Sequence, residues 1–146
     1  TLWTMGEDLM IQRYVTEAQG RDVRAFVVGG EVVAAMRRTA RPGDFRSNIH
    51  RGGSGEEATL SPEQHRIALE AAAALGLRVC GVDLLESDHG PLVLEVNASP
   101  GFQALEAATG VDCARAIVEE VLRCAGAPPP AFAGPASVAP PNQLRD

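Results

Sequence analysis

The chain has 146 residues, a formal net charge of −6, 45% hydrophobic residues and 22% charged residues. This length is enough for one domain with a buried core, and this composition is typical of an ordinary globular protein. The acidic balance argues against a general affinity for nucleic acid or anionic membranes, so we expect neither as a partner. The three cysteines are far apart and lack CxxC spacing, which argues against disulfides or zinc and fits a cytoplasmic protein (Cys80, Cys113 and Cys124).

The first third of the chain predicts an antiparallel meander. Residues 9–15 have strand-like apolar and β-branched content, and residues 18–21 read as a turn. Residues 22–28 alternate as a strand does, and Gly29 with Gly30 forms a two-residue hairpin signal before a further strand at 31–39.

The middle of the chain predicts a loop and then a helix. Residues 41–55 have no period and many turn formers, and a short strand is expected at 57–60. Ser61 is a typical N-cap and Pro62 a typical first helical residue, so a helix begins here. Apolar residues then recur at helical spacing until Gly76 ends the helix.

The end of the chain predicts two helices and a tail. A short helix is expected at 102–108, and Asp112 caps a second helix with one apolar stripe (Ala114, Ile117, Val118, Val121 and Leu122). From residue 125 onward prolines dominate, which predicts a disordered tail. We therefore expect one α+β domain over residues 1–124, a mostly antiparallel sheet with packed helices, followed by a tail over 125–146.

Residues 79–101 carry the clearest chemical signal. They read as two strands around a turn at 87–91, with Asp83 on the first strand and Glu95 and Asn97 on one face of the second. If the hairpin folds about His89, Asp83 lies opposite Glu95, and Gly81 lies opposite Asn97.

The two carboxylates then need a compensating charge between them. Directly paired strand residues have Cβ atoms about 4.5–5.5 Å apart, and like charges at that distance repel. A divalent cation held by Asp83, Glu95 and Asn97 would compensate them, and all-oxygen ligation suits Mg²⁺ or Mn²⁺. The alternative is that both acids are solvated, although the apolar runs around them argue against it.

A cluster of arginines begins in the predicted strand at 31–39 and continues into the loop, with one acid among them, Asp44 (Arg37, Arg38, Arg41, Arg46 and Arg51). A solvated loop, an RNA-binding patch and a polyphosphate site are the three interpretations. The net acidity and the lack of interleaved aromatic residues weaken the RNA interpretation. A local polyphosphate site fits better.

Two strings together point to a known family. Residues 46–53, RSNIHRGG, and residues 95–101, EVNASPG, with Asp83 before the second, resemble the C-terminal part of an ATP-grasp ligase of the RimK-like group. The resemblance runs from about residue 11 to residue 122. It implies an α+β fold, the C-terminal subdomain of an ATP-grasp domain.

The resemblance also implies roles for single residues. Asp83, Glu95 and Asn97 match the ligands of two Mg²⁺ or Mn²⁺ ions. A further set of residues would bind the nucleotide (Arg13, Tyr14, Asp22, Arg46, Ser47 and Asn48). Asp22 would bind the ribose, and the segment around Arg13 would face the adenine. Arg46 would also act in catalysis. The family usually has an acid at the position of Arg13, so a side-chain contact with adenine is not expected here.

The activity implied is an ATP-dependent carboxylate–amine ligase that works through an acyl phosphate. Its substrates would be ATP, glutamate or a similar amino acid, and the C-terminus of a protein or peptide, with a small-subunit ribosomal protein as one candidate. A cofactor or carrier-protein acceptor and a non-catalytic binding module are the alternatives. A second copy of the chain stays open as a further partner.

The chain contains no lysine, and all 13 basic residues are arginines. Ligases of this group clamp the phosphates with lysines from a lid that precedes the matching segment. We therefore expect the chain to correspond to the second part of the ligase, without the lid and the N-terminal domain. Alone, it should bind ATP weakly and not turn over.

Overall fold

A five-stranded antiparallel sheet organises the computed structural model, which describes residues 11–41 and 53–126. The strand order is β3-β2-β1-β4-β5 (β1 Arg21–Val28, β2 Glu31–Thr39, β3 Ser54–Glu57, β4 Val79–Ser87 and β5 Gly90–Asn97). The helices of the described residues are α1 Pro62–Ala74, α2 Gln103–Thr109 and α3 Cys113–Cys124, and a 3₁₀ turn lies at Thr16–Ala18. The predicted α+β class is confirmed.

Strand β1 lies at the centre of the sheet and is buried on both faces. Ala25 and Val27 point to one face and pack under α1 together with Ala68. Phe26 points to the other face and packs with Leu105 of α2. The sheet is therefore sandwiched between α1 on one side and the pair α2 and α3 on the other, the usual way to bury both faces of a central strand.

Helix α1 begins where the sequence predicts. The Ser61 hydroxyl accepts a hydrogen bond from the Gln64 backbone N–H at 3.1 Å, and the Gln64 side chain accepts one from the Ser61 N–H at 2.8 Å. This capping box satisfies two amide groups that an uncapped helix leaves without partners. The helix ends at Leu75, before Gly76 at φ +65°.

The predicted strand at 9–15 is wrong over its described part, because residues 11–15 have no regular structure. Ile11 is 89% exposed and Tyr14 57% exposed. A strand is stabilised by its ladder with a neighbour, and within residues 11–41 and 53–126 no strand pairs with this segment. Residues 9 and 10 lie outside the described residues.

The short strand predicted at 57–60 begins three residues earlier, at Ser54. Its register pairs Ser54 with Thr39 and Glu57 with Met36 of β2. All its residues are exposed, so hydrogen bonding to the edge of β2, rather than burial of an apolar face, places it. Ser54 and Gly55 thus leave the predicted loop, and residues 42–52 of that loop lie outside the described residues.

Helix α3 has the predicted Asp112 cap, whose side chain accepts from the Arg115 N–H at 2.8 Å. Its apolar stripe, however, faces the core only in part, since Val118 is 46% exposed and Val121 59% exposed. The buried positions are Cys113 and Glu120, so the helix is rotated relative to the face that the apolar spacing marks.

Glu120 fixes this rotation through hydrogen bonds. Its carboxylate accepts from Arg78, which precedes β4, and from Arg123 in the last turn of α3. A buried carboxylate is tolerated only with such partners, and these tie the end of α3 to the sheet.

The cysteines are free thiols, of which Cys80 and Cys113 are buried and Cys124 is exposed. Burial raises the pKa of Cys80 and Cys113, that of Cys113 to about 11.

None of the described helices is long and apolar enough to cross a membrane. Of the tail predicted over 125–146, residues 127–146 lie outside the described residues.

Substitutions in the β1–β2 turn test the contact between Gly29 and Glu120 of α3. Gly29 and Gly30 both have positive φ, but a Cβ at Gly29 would lie 2.6 Å from the Glu120 carboxylate, whereas one at Gly30 meets nothing within 4 Å. Gly29→Ala should lower the free energy of unfolding by about 2–4 kcal/mol, since left-handed backbone costs an L-residue about 1–2 kcal/mol and Glu120 must leave its partners.

Gly30→Ala is the matched control, because it carries the backbone cost alone, about 1–2 kcal/mol. Urea denaturation of both variants measures the difference. Equal losses would show that Glu120 is not held firmly against the turn.

Candidate functional site

The β4–β5 hairpin pairs Asp83 with Glu95 and Gly81 with Asn97, as the sequence predicts. The turn is tighter than predicted, because Ser87 pairs with Gly90 around two turn residues. If the strands continued in regular register from this turn, Asp83 would pair with Leu94. A bulge at Leu94 of β5 shifts the pairing by one residue, so that Asp83 pairs with Glu95. Since side chains alternate between faces, this bulge brings Glu95 to the face of Asp83.

A continuous row of charged side chains crosses this face of the sheet, and we call it the charged row (Arg38, Asp22, Arg24, Asp83 and Glu95). Cross-strand pairing builds it, since Arg38 lies opposite Asp22, Arg24 opposite Asp83, and Asp83 opposite Glu95. Four of its members are at least 91% buried, and only Glu95 reaches solvent, with a side chain 60% exposed.

Asp83 is the most connected member of the charged row. Arg24 donates to its two oxygens at 2.7 and 2.8 Å, and Arg38 donates to Oδ2 at 2.6 Å. Burial raises the pKa of Asp83, but the hydrogen bonds and charges of the two arginines outweigh burial and lower it. Asp83, which is 1% exposed, therefore stays a carboxylate at neutral pH.

Arg38 connects two carboxylates. It donates to both oxygens of Asp22, at 2.6 and 2.8 Å, as well as to Asp83. Burial lowers its pKa, whereas the bonds to Asp22 and the charge of Asp83 raise it on balance. Bidentate guanidinium–carboxylate pairs fix geometry as well as charge, so Arg38 holds Asp22 and Asp83 in a fixed relation.

Glu95 and Asn97 form the solvent-facing end of the site. Burial first, and then Asp83, raise the pKa of Glu95. The Asn97 side-chain oxygen accepts from the Ser99 N–H at 2.9 Å. Negative charge thus accumulates at this end beyond what Arg24 neutralises at 4.0 Å from Glu95.

These donors fit a hard divalent cation. Asp83, Glu95 and Asn97 offer only oxygen atoms, and Mg²⁺ is commonly held by one or two carboxylates together with substrate phosphates. Within the residues that the structure describes, no group of three or more His, Cys, Asp or Glu side chains could hold a metal. A cation here would accordingly need the Asn97 amide as a third protein ligand, with waters or a bound nucleotide completing its coordination.

The predicted nucleotide-binding residues fall in three places. Asp22 is 3% exposed and lies in the charged row. Arg13 and Tyr14 are exposed in the segment before the 3₁₀ turn. Arg46, with the neighbouring Ser47 and Asn48, lies outside the described residues.

Sequence reasoning missed Arg24 altogether and counted Arg38, a residue of the predicted strand at 31–39, with the arginine cluster. Arg38 is the eighth residue of β2, as that strand predicts, but it is only 7% exposed. A signal for Arg24 was available, because Asp22 and Arg24 are two residues apart and so share a strand face. What the sequence did not give was the pairing of β1 with β4, which puts Arg24 opposite Asp83.

Comparison with known proteins shows a family and several relatives to which the chain is similar. The family model for the RimK-like ATP-grasp domain matches residues 1–121. The probable alpha-L-glutamate ligase 1 of Shewanella amazonensis is 54% identical over 118 residues, 81% of this chain and 39% of that protein. The probable alpha-L-glutamate ligase of Thioalkalivibrio sulfidiphilus is 55% identical over 112 residues, 77% of this chain and 37% of that protein. The chain thus spans less than two fifths of the length of these relatives.

Solved structures agree in fold. The ATP-grasp ligase PsnB, solved with a phosphomimetic variant of its minimal precursor, Mg and ADP, superposes with a TM-score of 0.57 at 29% identity, over 75% of this chain and 34% of that chain. The D-cycloserine synthetase DcsG superposes with a TM-score of 0.57 at 20% identity, over 77% of this chain and 41% of that chain, and supports the fold alone.

Asp83→Asn tests the electrostatics of the charged row. Removing the charge leaves two buried guanidinium groups undercompensated, and breaking a buried ion pair costs about 3–5 kcal/mol. The folded-state pKa of Asp83 is depressed, so its contribution is full above the unfolded value of about 3.9 and is lost as pH falls through the lower folded value.

The stability difference between the wild type and Asp83→Asn should therefore be constant from about pH 5 to 7 and shrink below about pH 4. Urea denaturation across that range measures it. Glu86→Gln is the control, since its exposed pair with Arg37 should contribute less than about 1 kcal/mol. A difference that stays constant down to pH 2 would contradict the assignment.

Proposed function

The chain belongs to the RimK-like ATP-grasp family, and on this premise we propose that it forms the metal- and phosphate-binding part of an ATP-dependent ligase. The ligase adds glutamate to the C-terminus of a peptide or protein. The observation that carries the proposal is the bulged hairpin, which puts Glu95 beside the buried Asp83 on one face of the sheet, with Asn97 two residues further on.

Asp83, Glu95 and Asn97 would hold two Mg²⁺ or Mn²⁺ ions. Such ions, when bound, neutralise the phosphate oxygens of ATP during transfer. Support comes from the oxygen-only donor set and from the direct pairing of two carboxylates, Asp83 and Glu95, on neighbouring strands. Arg38 and Arg24 keep Asp83 ionised and oriented, so that its remaining lone pair points in one direction.

The nucleotide assignments follow from the family resemblance. Asp22 matches the acid that binds the ribose in the family, and we assign the ribose hydroxyls to it. We assign the adenine to the backbone around Arg13 and Tyr14, and the phosphates to Arg46, Ser47 and Asn48. Arg46 would also stabilise the transferring phosphoryl group, a task that suits a planar guanidinium.

The proposed reaction has two steps, a phosphoryl transfer and an acyl transfer. The terminal carboxylate of the acceptor takes the γ-phosphoryl group of ATP, which gives an acyl phosphate and ADP. The amine of the incoming glutamate then attacks the acyl carbon, the C–O bond to phosphate breaks, and the amine proton passes to solvent.

The choice of substrates rests on the relatives. The relatives are named as probable alpha-L-glutamate ligases, which supports glutamate as the amino acid. The PsnB structures contain peptide precursors, which supports a peptide acceptor over a small cofactor or a carrier protein. A non-catalytic binding module is the second candidate, and Arg13, at a position where the family usually has an acid, favours it.

A chimera tests the proposal. Residues 1–121 replace the matching segment of the Thioalkalivibrio relative, and ATP-dependent incorporation of labelled glutamate into a peptide is measured together with ADP release. We expect an active chimera in which Glu95→Gln lowers kcat by at least about 100-fold, since even outer-shell partners of a metal are worth 10–100-fold.

Glu56→Gln, on the exposed edge strand β3, is the matched control and should leave kcat unchanged. A chimera that binds ATP but releases no ADP would favour the binding module. An active chimera that tolerates Glu95→Gln would remove Glu95 from the metal site.

A further inference from the structure

We propose that Arg24 is a resident counter-ion of the metal site, which competes with the divalent cation for Asp83 and so sets the affinity of the site. The inference rests on the proposed function, because it takes Asp83 and Glu95 as the metal ligands. It adds a role for a residue of β1 that lies among those ligands without being one of them.

The contacts of Arg24 are directed at the predicted ligands. Its Nε and Nη2 donate to the two oxygens of Asp83, and its Nη2 lies 4.0 Å from the Glu95 carboxylate. The guanidinium group therefore lies where the negative potential of the two acids adds up. A divalent cation bound by the same two acids would feel repulsion from a positive charge a few ångströms away, a large effect in a buried site.

Counting acceptor positions leads to the same competition. A carboxylate has about four acceptor positions, and Arg24 and Arg38 together use three of those on Asp83. One position is left for a cation. Any second bond from Asp83 to metal must displace one of the arginines.

Arg24 is the arginine that should yield. Arg38 is held by two further bonds from its own guanidinium to Asp22, at 2.6 and 2.8 Å. The ion pairs of Arg24 in the described part of the chain go to Asp83 and Glu95 alone. A cation bound by these two acids would replace the charge of Arg24 and so weaken the ion pairs that hold Arg24 in place.

Gly81 lets Arg24 lie close to the backbone of β4. A Cβ at Gly81 would lie 3.4 Å from the Arg24 Nε and 3.1 Å from the Pro100 Cβ, so a larger residue there would press on the guanidinium group. The Glu95 carboxylate, 4.0 Å from the Arg24 Nη2, belongs to a side chain that is 60% exposed. Both cation and guanidinium therefore have access to solvent at this end of the charged row.

The test uses Mn²⁺ alone as the probe, with the 146-residue chain and three variants. Free Mn²⁺ is measured by electron paramagnetic resonance, and folding by circular dichroism. Arg24→Met should lower the Kd for Mn²⁺ at least tenfold, and Arg24→Lys, which keeps the charge but cannot bond both oxygens, about two- to threefold. Arg37→Met, which removes an arginine from the opposite face of the sheet, should change the Kd less than twofold.

A second readout follows the arginine itself. In ¹⁵N spectra of the wild type, Mg²⁺ should shift the Nε–Hε resonance of Arg24 and leave that of Arg38 nearly in place. A resonance of Arg38 that moves in place of Arg24 would overturn the assignment.

The outcomes separate the inference from the function on which it rests. A folded Arg24→Met with an unchanged or higher Kd overturns the counter-ion role and leaves the metal site intact. If Arg24→Met does not fold, an unchanged Kd in Arg24→Lys overturns it equally. If neither the wild type nor the variants bind Mn²⁺, the assignment of the metal site to Asp83 and Glu95 falls, and the inference falls with it.

Discussion

The carboxylate of Asp83 is removed from water at the middle of the sheet, and only the two guanidinium groups around it make that position tolerable. Transfer of an unpaired carboxylate into such a place would shift its protonation or unfold the surroundings. Because Arg24, Arg38 and Asp83 come from three different strands, their bonds also specify which strands are neighbours. The register and the order of these strands are therefore coupled to the pairing of the charges, since a slip of any of these strands would bury a charge without its partner.

The sheet separates two tasks by face and by end. One face is apolar and packs under α1. The other face is apolar where α2 and α3 cover it and charged at the opposite end. The charged end lies away from the apolar contacts that stabilise the domain, so its polar residues do not interrupt the core. The bonds between its arginines and carboxylates hold the side chains of the charged row in a fixed arrangement.

Local sequence signals predicted the elements that local interactions decide. Gly29 and Gly30 set the bounds of β1 and β2 almost to the residue, and Ser61 and Asp112 marked two helix starts through their own hydrogen bonds. Strand β3 could not be placed in this way, since its residues are all exposed and only the edge of β2 selects them.

The site was predictable as far as its acids and no further. The pairing of Asp83 with Glu95 was predicted from a symmetrical hairpin, whereas the real hairpin reaches it by a tighter turn and a compensating bulge. An arginine in a strand reads as a solvent-facing residue, and the burial of Arg24 and Arg38 follows from contacts between strands distant in sequence. Positive charge does lie beside the two acids, but the sequence could not reveal that arginines supply it.

The bulge in β5 has a consequence for the behaviour of the chain among other chains. Strand β5 is an edge of the sheet and exposes Leu92 and Val93, the kind of edge to which a strand from another molecule can add. Pro91 offers no N–H to such a strand, and the bulge at Leu94, three residues later, breaks the regular spacing of donors and acceptors. The irregularity that aligns Glu95 with Asp83 therefore also makes this edge a poor template for aggregation.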